Sequence, residues 1–258
     1  AFIMAFPFYW MVVTTVRPPD EVYRVDVSLF PSRITFEMYE KLLSDPQMPV
    51  GRFFINSLIL AIGAMIINVS TAVLAAYVLG RRKVPGGRII YYLIIATMMV
   101  PGEVVLIGLF LIINSFSLVD TYTGMILPLA VNAVNFLIIY NYILGLPKEL
   151  DEAAALDGCG YFRFVWSFII PLSQPAIATV AVLHAIGIWN ELILPTIYLT
   201  NKNYYPITRG MIVFQGVYGS NWPTLAAAVL IMTLPMVVIF LALQRYIVSG
   251  LTAGAVKG

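Results

Sequence analysis

A chain of 258 residues in which 60% are hydrophobic and only 11% charged, with a mean hydropathy of +0.90, lies far outside the range of a soluble domain and has lipid as its expected solvent. A formal charge of +2 excludes both the strongly basic surface of a nucleic-acid binder and an acidic binding tail, so what matters is where the charges fall. The lone cysteine, Cys159, excludes an internal disulfide, and the lone histidine, His184, offers no metal site and reads as an interhelical polar contact.

In chain order, residues 1–16 are apolar from the outset. Without a basic leader or an Ala-x-Ala cleavage site they read as a truncated first spanning helix and not as a signal peptide. Residues 17–51 mix Pro18, Pro19, Pro31, Pro46 and Pro49 with acids and aromatics, the grammar of a short folded cap with one helix over 35–43. Five further stretches, 52–79, 89–115, 121–145, 173–199 and 223–244, reach or approach the roughly 20 apolar residues that cross a bilayer as helix. The expected fold class is therefore all-α, a polytopic membrane protein of six transmembrane helices, with bends at Pro101-Gly102, Pro128, Pro195 and Pro235.

Arg81, Arg82, Lys83 and Arg88 crowd into the connection after the second span and mark it as cytoplasmic; they read as a topology anchor. Alternation then places 146–172 and the tail after Gln244 inside, and 17–51, 116–120 and 200–222 outside. Basic residues outnumber acids eight to four inside, while six face seven acids outside, with Arg52, Glu103 and Glu191 left within the apolar stretches. No repeat, linker or low-complexity tract divides the chain, so 1–258 reads as a single membrane domain. Its energy source must be a partner or an ion gradient.

The richest connection is LPKELDEAAALDGCGYFRFVWSFIIPLSQP, between the fourth and fifth spans. Pro147 suits a first helical position, Glu149, Asp151 and Glu152 complement the positive end of a helix dipole, and Ala153 to Ala155 propagate the helix until Gly158 stops it. A second short helix over 161–170 precedes Pro171. The small alanine surface lets another surface approach closely.

This string resembles the EAA motif of ABC importer permeases: Glu-Ala-Ala, three residues, Gly, nine residues, then Ile-x-Leu-Pro. Glu152, Ala153, Ala154, Gly158 and Pro171 fall at the right spacing, Asp157 matches the usual form, and Phe168 and Ile170 replace Ile and Leu. Further phrases, among them FPFYWMVVTTVRPPDEVY, INSLILA, LVDTYTGMILP, IWNELILP and QRYIVSGLTAGAVKG, are similar to the second permease of maltose-type carbohydrate systems. The resemblance implies the type I importer permease fold in a bacterial inner membrane, with the C-terminus cytoplasmic. It also implies a second permease chain, two ATPase subunits, an external solute-binding protein and a sugar-like solute. The loop from Glu149 to Gly160 would be the coupling helix seated in the ATPase. No Lys is followed by Ser or Thr, so the phosphate-cradling loop is absent and ATP and Mg would belong to the partner ATPase, leaving this chain without cofactors.

Other residues carry weaker signals. A carboxylate near mid-membrane costs roughly 2.5–3.5 kcal/mol on insertion scales, so Glu103 and Glu191 should face protein or water. Glu191, with Trp189 and Asn190, resembles the family's Trp-Asn-Glu/Asp phrase, a structural or gating element facing the partner permease. Glu103 follows the Pro101-Gly102 break and would either line the path or sit near a membrane surface. Tyr204, Tyr205, Gln215, Tyr218 and Trp222 form either an interfacial belt or, as the resemblance implies, a loop reaching the binding protein. The rival function is an ion-coupled secondary transporter, which needs bent helices but no EAA loop, and whose inverted repeat is not visible. A membrane hydrolase lacks its Gly-x-Ser-x-Gly and His-Glu-x-x-His signatures.

Overall fold

Lipid cannot satisfy a peptide N–H or C=O, so a spanning segment must bond its own backbone. Among the described residues every regular element is helical. The computed structural model describes residues 2–23, 28–219 and 221–255, the side chains of 2, 218, 240 and 242–255 excepted. The elements are α1 (Phe2–Val16), α2 (Glu37–Ser44), α3 (Val50–Arg81), α4 (Gly87–Thr97), α5 (Gly102–Ser115), α6 (Tyr122–Leu129), α7 (Ala133–Leu144), α8 (Glu149–Leu156), α9 (Tyr161–Leu172), α10 (Gln174–Trp189), α11 (Ile193–Tyr198), α12 (Ile207–Tyr218) and α13 (Trp222–Ala255).

Two helices are long and apolar enough to cross a membrane unaided, α3 and the Trp222–Ile239 part of α13. Three more crossings are available as bent pairs, α4 with α5 at 106°, α6 with α7 at 51° and α9 with α10 at 79°, and a shorter apolar helix covers Ile3–Val16. The described residues thus give up to five spans, where six are expected from the sequence.

The bends correct several expectations. The stretch 89–115 is not one helix: α4 stops at Thr97, and Pro101, lacking an N–H, is extended at ψ 136° before α5 begins. In the fourth stretch Pro128 stays inside α6, and the break falls at 130–132, where the Asn132 side chain caps α7 through Asn135 N at 3.0 Å. In the fifth the break is at 190–192. Pro195 sits in the first turn of α11, where a missing N–H leaves no intrahelical bond unmade. Pro235 lies inside the continuous α13. The expected loop 200–222 contains the 12-residue helix α12.

The chain falls into two compact units, Ala1–Ile59 with Glu191–Ile239 and Leu60–Asn190 with Phe240–Gly258. The first is cored by Met38, Leu42, Met48, Phe53, Tyr205, Ile207 and Phe214. There α12 meets α3 so closely that a Cβ on Gly210 would stand 2.3 Å from the Phe53 ring, so only glycine fits. The second is cored by Ala72, Val73, Ala76 and Tyr77 of α3, Phe136, Ile139 and Ile143 of α7, Ala154 of α8, Phe164, Val165 and Ile169 of α9, and Val180 of α10. Alanines at the α3 positions allow this close packing.

Candidate functional site

The connection between α7 and α10 hangs from one side chain. The side chain of Arg81, at the end of α3, is 3% exposed. Its Nε and Nη2 donate to Ile143 O at 3.1 and 2.7 Å, Nη2 also to Leu146 O, and Nη1 to Pro147 O at 3.4 Å. These carbonyls lie at and beyond the C-terminus of α7, where a cation is favoured, and Ile143 O also accepts from Leu146 N at 3.2 Å. Nη1 also donates to Asp151 Oδ2 at 3.1 Å, a carboxylate in the first turn of α8, where an anion is favoured. One guanidinium therefore satisfies the end of one helix and the start of the next. Arg82 stands 3.8 Å from Asp151 Oδ1, at ion-pair but not hydrogen-bond distance. It lies over the rings of Tyr161 (4.2 Å) and Tyr77 (5.0 Å). Arg81 and Arg82 of the basic cluster, expected as a topology anchor, thus also tie this loop to the end of α3.

Helix α8 ends in a Schellman turn. Gly158 N donates to Ala155 O at 3.1 Å, Cys159 N donates to Ala154 O at 2.9 Å, and Gly158 has φ +65°. Ala154 is buried in the second core, while Glu149, Glu152, Ala153, Ala155, Asp157 and Gly158 are exposed. Of the sequence candidates here, all but Ala154 and Pro171 thus share one accessible segment. Pro171 is also exposed, at the far end of α9. Its ring cannot donate to Ser167 O, and the helix widens there: Ile170 N reaches back to Val165 O in a π turn over Val165–Ile169.

Sequence reasoning missed the apolar surface flanking α8. Leu156, Phe162, Trp166 and Tyr161 are 89%, 84%, 76% and 67% exposed, while Phe164, Val165 and Ile169 point inward. The alternation along α9 carried this signal: its apolar residues exceed one helix face, so some must be left for another surface.

The acids and amides within spans bond locally. Glu191 Oε1 accepts from Ile193 N (2.8 Å) and Leu194 N (3.1 Å) and so caps α11, while its carbonyl accepts from Thr208 Oγ1 at 2.7 Å. Asn190 Nδ2 donates to Ile186 O at 2.8 Å. Glu103 is exposed in the first turn of α5. A buried polar tie went unrecognised in the sequence: Asn135 Nδ2 donates to Asn68 Oδ1 at 2.8 Å and to His184 Nδ1 at 3.1 Å, joining α3, α7 and α10, and Asn68 Nδ2 donates to Ala130 O at the α6–α7 break. These contacts give His184 the interhelical partner expected of it.

At the start of α3 a second set of bonds holds residues 201–207. Asn56 Nδ2 donates to Asn203 O (2.8 Å) and Tyr205 O (2.9 Å), Arg52 to Asn203 Oδ1 (2.9 Å), and Ser57 Oγ accepts from Ile207 N (2.8 Å). Tyr205 is buried beside Phe53 with its hydroxyl on Thr200 O, Tyr204 is half-buried, and Gln215 and Trp222 are exposed. The Tyr218 side chain lies outside the described residues.

Known proteins share this architecture. Residues 72–253 match the family model "Binding-protein-dependent transport system inner membrane component". The chain is 35% identical to the trehalose/maltose transport system permease protein MalG of Thermococcus litoralis, over 100% of this chain and 93% of that protein. It is 32% identical to the arabinooligosaccharides transport system permease protein AraQ of Bacillus subtilis, over 98% of this chain and 90% of that protein. A chain from the crystal structure of a bacterial ABC transporter involved in the import of the acidic polysaccharide alginate superposes with a TM-score of 0.84 at 23% identity, covering 95% of this chain and 91% of that chain, a likeness of fold.

Proposed function

This chain belongs to the family of binding-protein-dependent transport system inner membrane components, and from that premise we propose how its parts serve an ABC importer for a sugar or sugar-like solute. It is a transport subunit, a multi-pass inner-membrane permease, and performs no covalent chemistry. The whole chain, 1–258, works as one permease domain crossing the membrane six times with its C-terminus in the cytoplasm. Beside a second permease it forms the pathway, receives solute from an external binding protein, and turns between inward- and outward-facing states when two ATPase subunits close on ATP. The trehalose/maltose and arabinooligosaccharide permeases among its relatives support a di- or oligosaccharide as cargo.

The observation that carries this reading is the exposed α8, stopped by the αL Gly158 and locked to α3 and α7 through Arg81 and Asp151. A helix so fixed to two spans passes a push at its surface into both. Glu149, Glu152, Ala153, Asp157 and Gly158 form the face offered to the ATPase. Ala154 and Pro171 set its position from behind. Asn190 and Glu191 shape the break in the fifth span, and Glu103 stands at the mouth of α5, all three as pathway or gating residues. Tyr204, Gln215, Tyr218 and Trp222 meet the binding protein, over a loop propped by the buried Tyr205.

Co-reconstitution of the chain with its partner permease, ATPase and loaded binding protein tests the reading. Sugar uptake is expected with ATP inside and without an ion gradient. Uptake driven by an ion gradient without ATP would establish the secondary transporter instead.

A further inference from the structure

The first unit holds an open cavity of about 320 Å³, apart from the coupling loop. Pro7, Trp10, Met11 and Thr14 form one wall, at the i, i+3, i+4, i+7 spacing of a single face of α1, and Trp222 and Ala226 of α13 also line it. The α1 stripe leads to Arg17, just beyond the helix end. Arg17 is 2% exposed. Its guanidinium lies 5.4 Å from the Trp10 ring centre and donates through Nη2 to Ser28 O, but its Nε–H is buried without an acceptor. Among the described residues no carboxylate lines the cavity and Arg17 forms no ion pair. A desolvated cation in that state calls for an anion.

We propose that this cavity binds an anionic phospholipid, its phosphate on the Arg17 guanidinium and one acyl chain along the Pro7–Thr14 stripe. Three features favour a lipid over a free anion. From Pro7 to Arg17 the stripe rises about 15 Å at 1.5 Å per residue, half of a roughly 30 Å hydrocarbon layer and so the depth of one leaflet. The lining is apolar except at Thr14 and Arg17. Trp222, at the start of α13, supplies an indole, which favours the headgroup level. The inference needs only that α1 and α13 lie in the membrane; it is independent of the cargo and of the coupling loop.

Native mass spectrometry of the purified complex, with thermal unfolding in detergent, tests it. Added phosphatidylglycerol should be retained and raise Tm, phosphatidylcholine should do so less, and inorganic phosphate should leave Tm unchanged. Arg17→Gln should cut phosphatidylglycerol retention about tenfold, the effect of losing a charge-assisted phosphate contact. Met11→Trp, which fills the groove and keeps the charge, should cut it as well, and decides the matter if Arg17→Gln does not fold. Retention by both variants equal to the parent's overturns the site. A Tm rise with phosphate alone overturns the lipid.

Discussion

At its start α3 presents Arg52, Asn56 and Ser57 to residues 201–207; at its end it presents Tyr77, Arg81 and Arg82 to the connection between α7 and α10. The first fastening is spread over several bonds, mostly between uncharged groups, each worth about 1 kcal/mol net. The second gathers main-chain carbonyls and a carboxylate onto one buried guanidinium, so its loss leaves a charge and several acceptors stranded together. A distributed fastening yields piecemeal and suits a segment that meets a partner arriving from solution. A single hub yields all at once or not at all, which suits a joint that must carry motion without slack.

The largest effect is therefore expected at the hub. Arg81→Gln should lower stability by about 3–5 kcal/mol, the usual penalty for removing one member of a buried pair, and reduce ATP-driven uptake more than about tenfold. Asp151→Asn should do less, since Arg81 keeps its carbonyls, and a double-mutant cycle on thermal unfolding should show strong coupling between the two. Independent, additive losses would mean that the apolar cluster around Phe164 holds the loop and Arg81 merely decorates it.

Next comes Gly158, whose φ is +65° but whose absent Cβ would meet nothing within 4 Å. Dihedral and space are thus separable at this one position. Gly158→Val should cost about 1–2 kcal/mol or more in an αL conformation, leave the protein inserted, and abolish most coupled uptake, while Gly158→Asn should keep most of it. Should Asn fail as badly as Val, the glycine is needed for close approach of the ATPase and not for its backbone.

Why Gly158 was legible and Arg81 was not follows from what each signal can mean. A helix stop with φ above zero has few solutions, and a Gly after an alanine run is the commonest. An arginine at the end of a span already has a sufficient cause in membrane topology, so nothing in the sequence distinguishes a marker in water from a buried cap. Prolines flagged the bends but misplaced two of them, and Pro235 marks no break. Apart from the break at Pro101, the chain breaks where a side chain can take over the freed N–H groups, at Asn132 and Glu191, and not at Pro128 or Pro195. The helix α12 was hidden by Gly210 and Gly216, poor helix formers, and exists because Ile207 and Phe214 bury in the first core. The tail after Arg245 continues as helix to Ala255, and residues 256–258 lie outside the described part.

The distributed fastening predicts a smaller response. Because α12 buries Ile207 and Phe214, the loop cannot be swapped whole for a linker, but Asn56→Ala removes its tie alone. Stranding the carbonyls of Asn203 and Tyr205 should cost about 1–3 kcal/mol. Insertion and basal ATPase should be unchanged, while stimulation by loaded binding protein should fall about twofold to fivefold, equivalent to about 0.4–1 kcal/mol and so only part of that stability loss. Stimulation equal to the parent's would reduce the aromatics of this loop to a membrane belt.

Glu191 sets the finest test, because its two readings differ by one proton. As a cap, its work is to offer an acceptor to Ile193 N and Leu194 N, and a glutamine amide oxygen does nearly the same. As a charged gate it would need the negative charge itself. Glu191→Gln should then keep uptake within about twofold of the parent if capping is the role, whereas Glu191→Ala should lose about 1 kcal/mol of stability, the usual worth of a helix cap. The Thr208 bond to the Glu191 carbonyl survives both changes, so neither variant disturbs the tie to α12. Comparing uptake with thermal unfolding for the two variants separates the roles: a stable Glu191→Gln protein that no longer transports would assign the charge to gating and leave the cap as its incidental benefit.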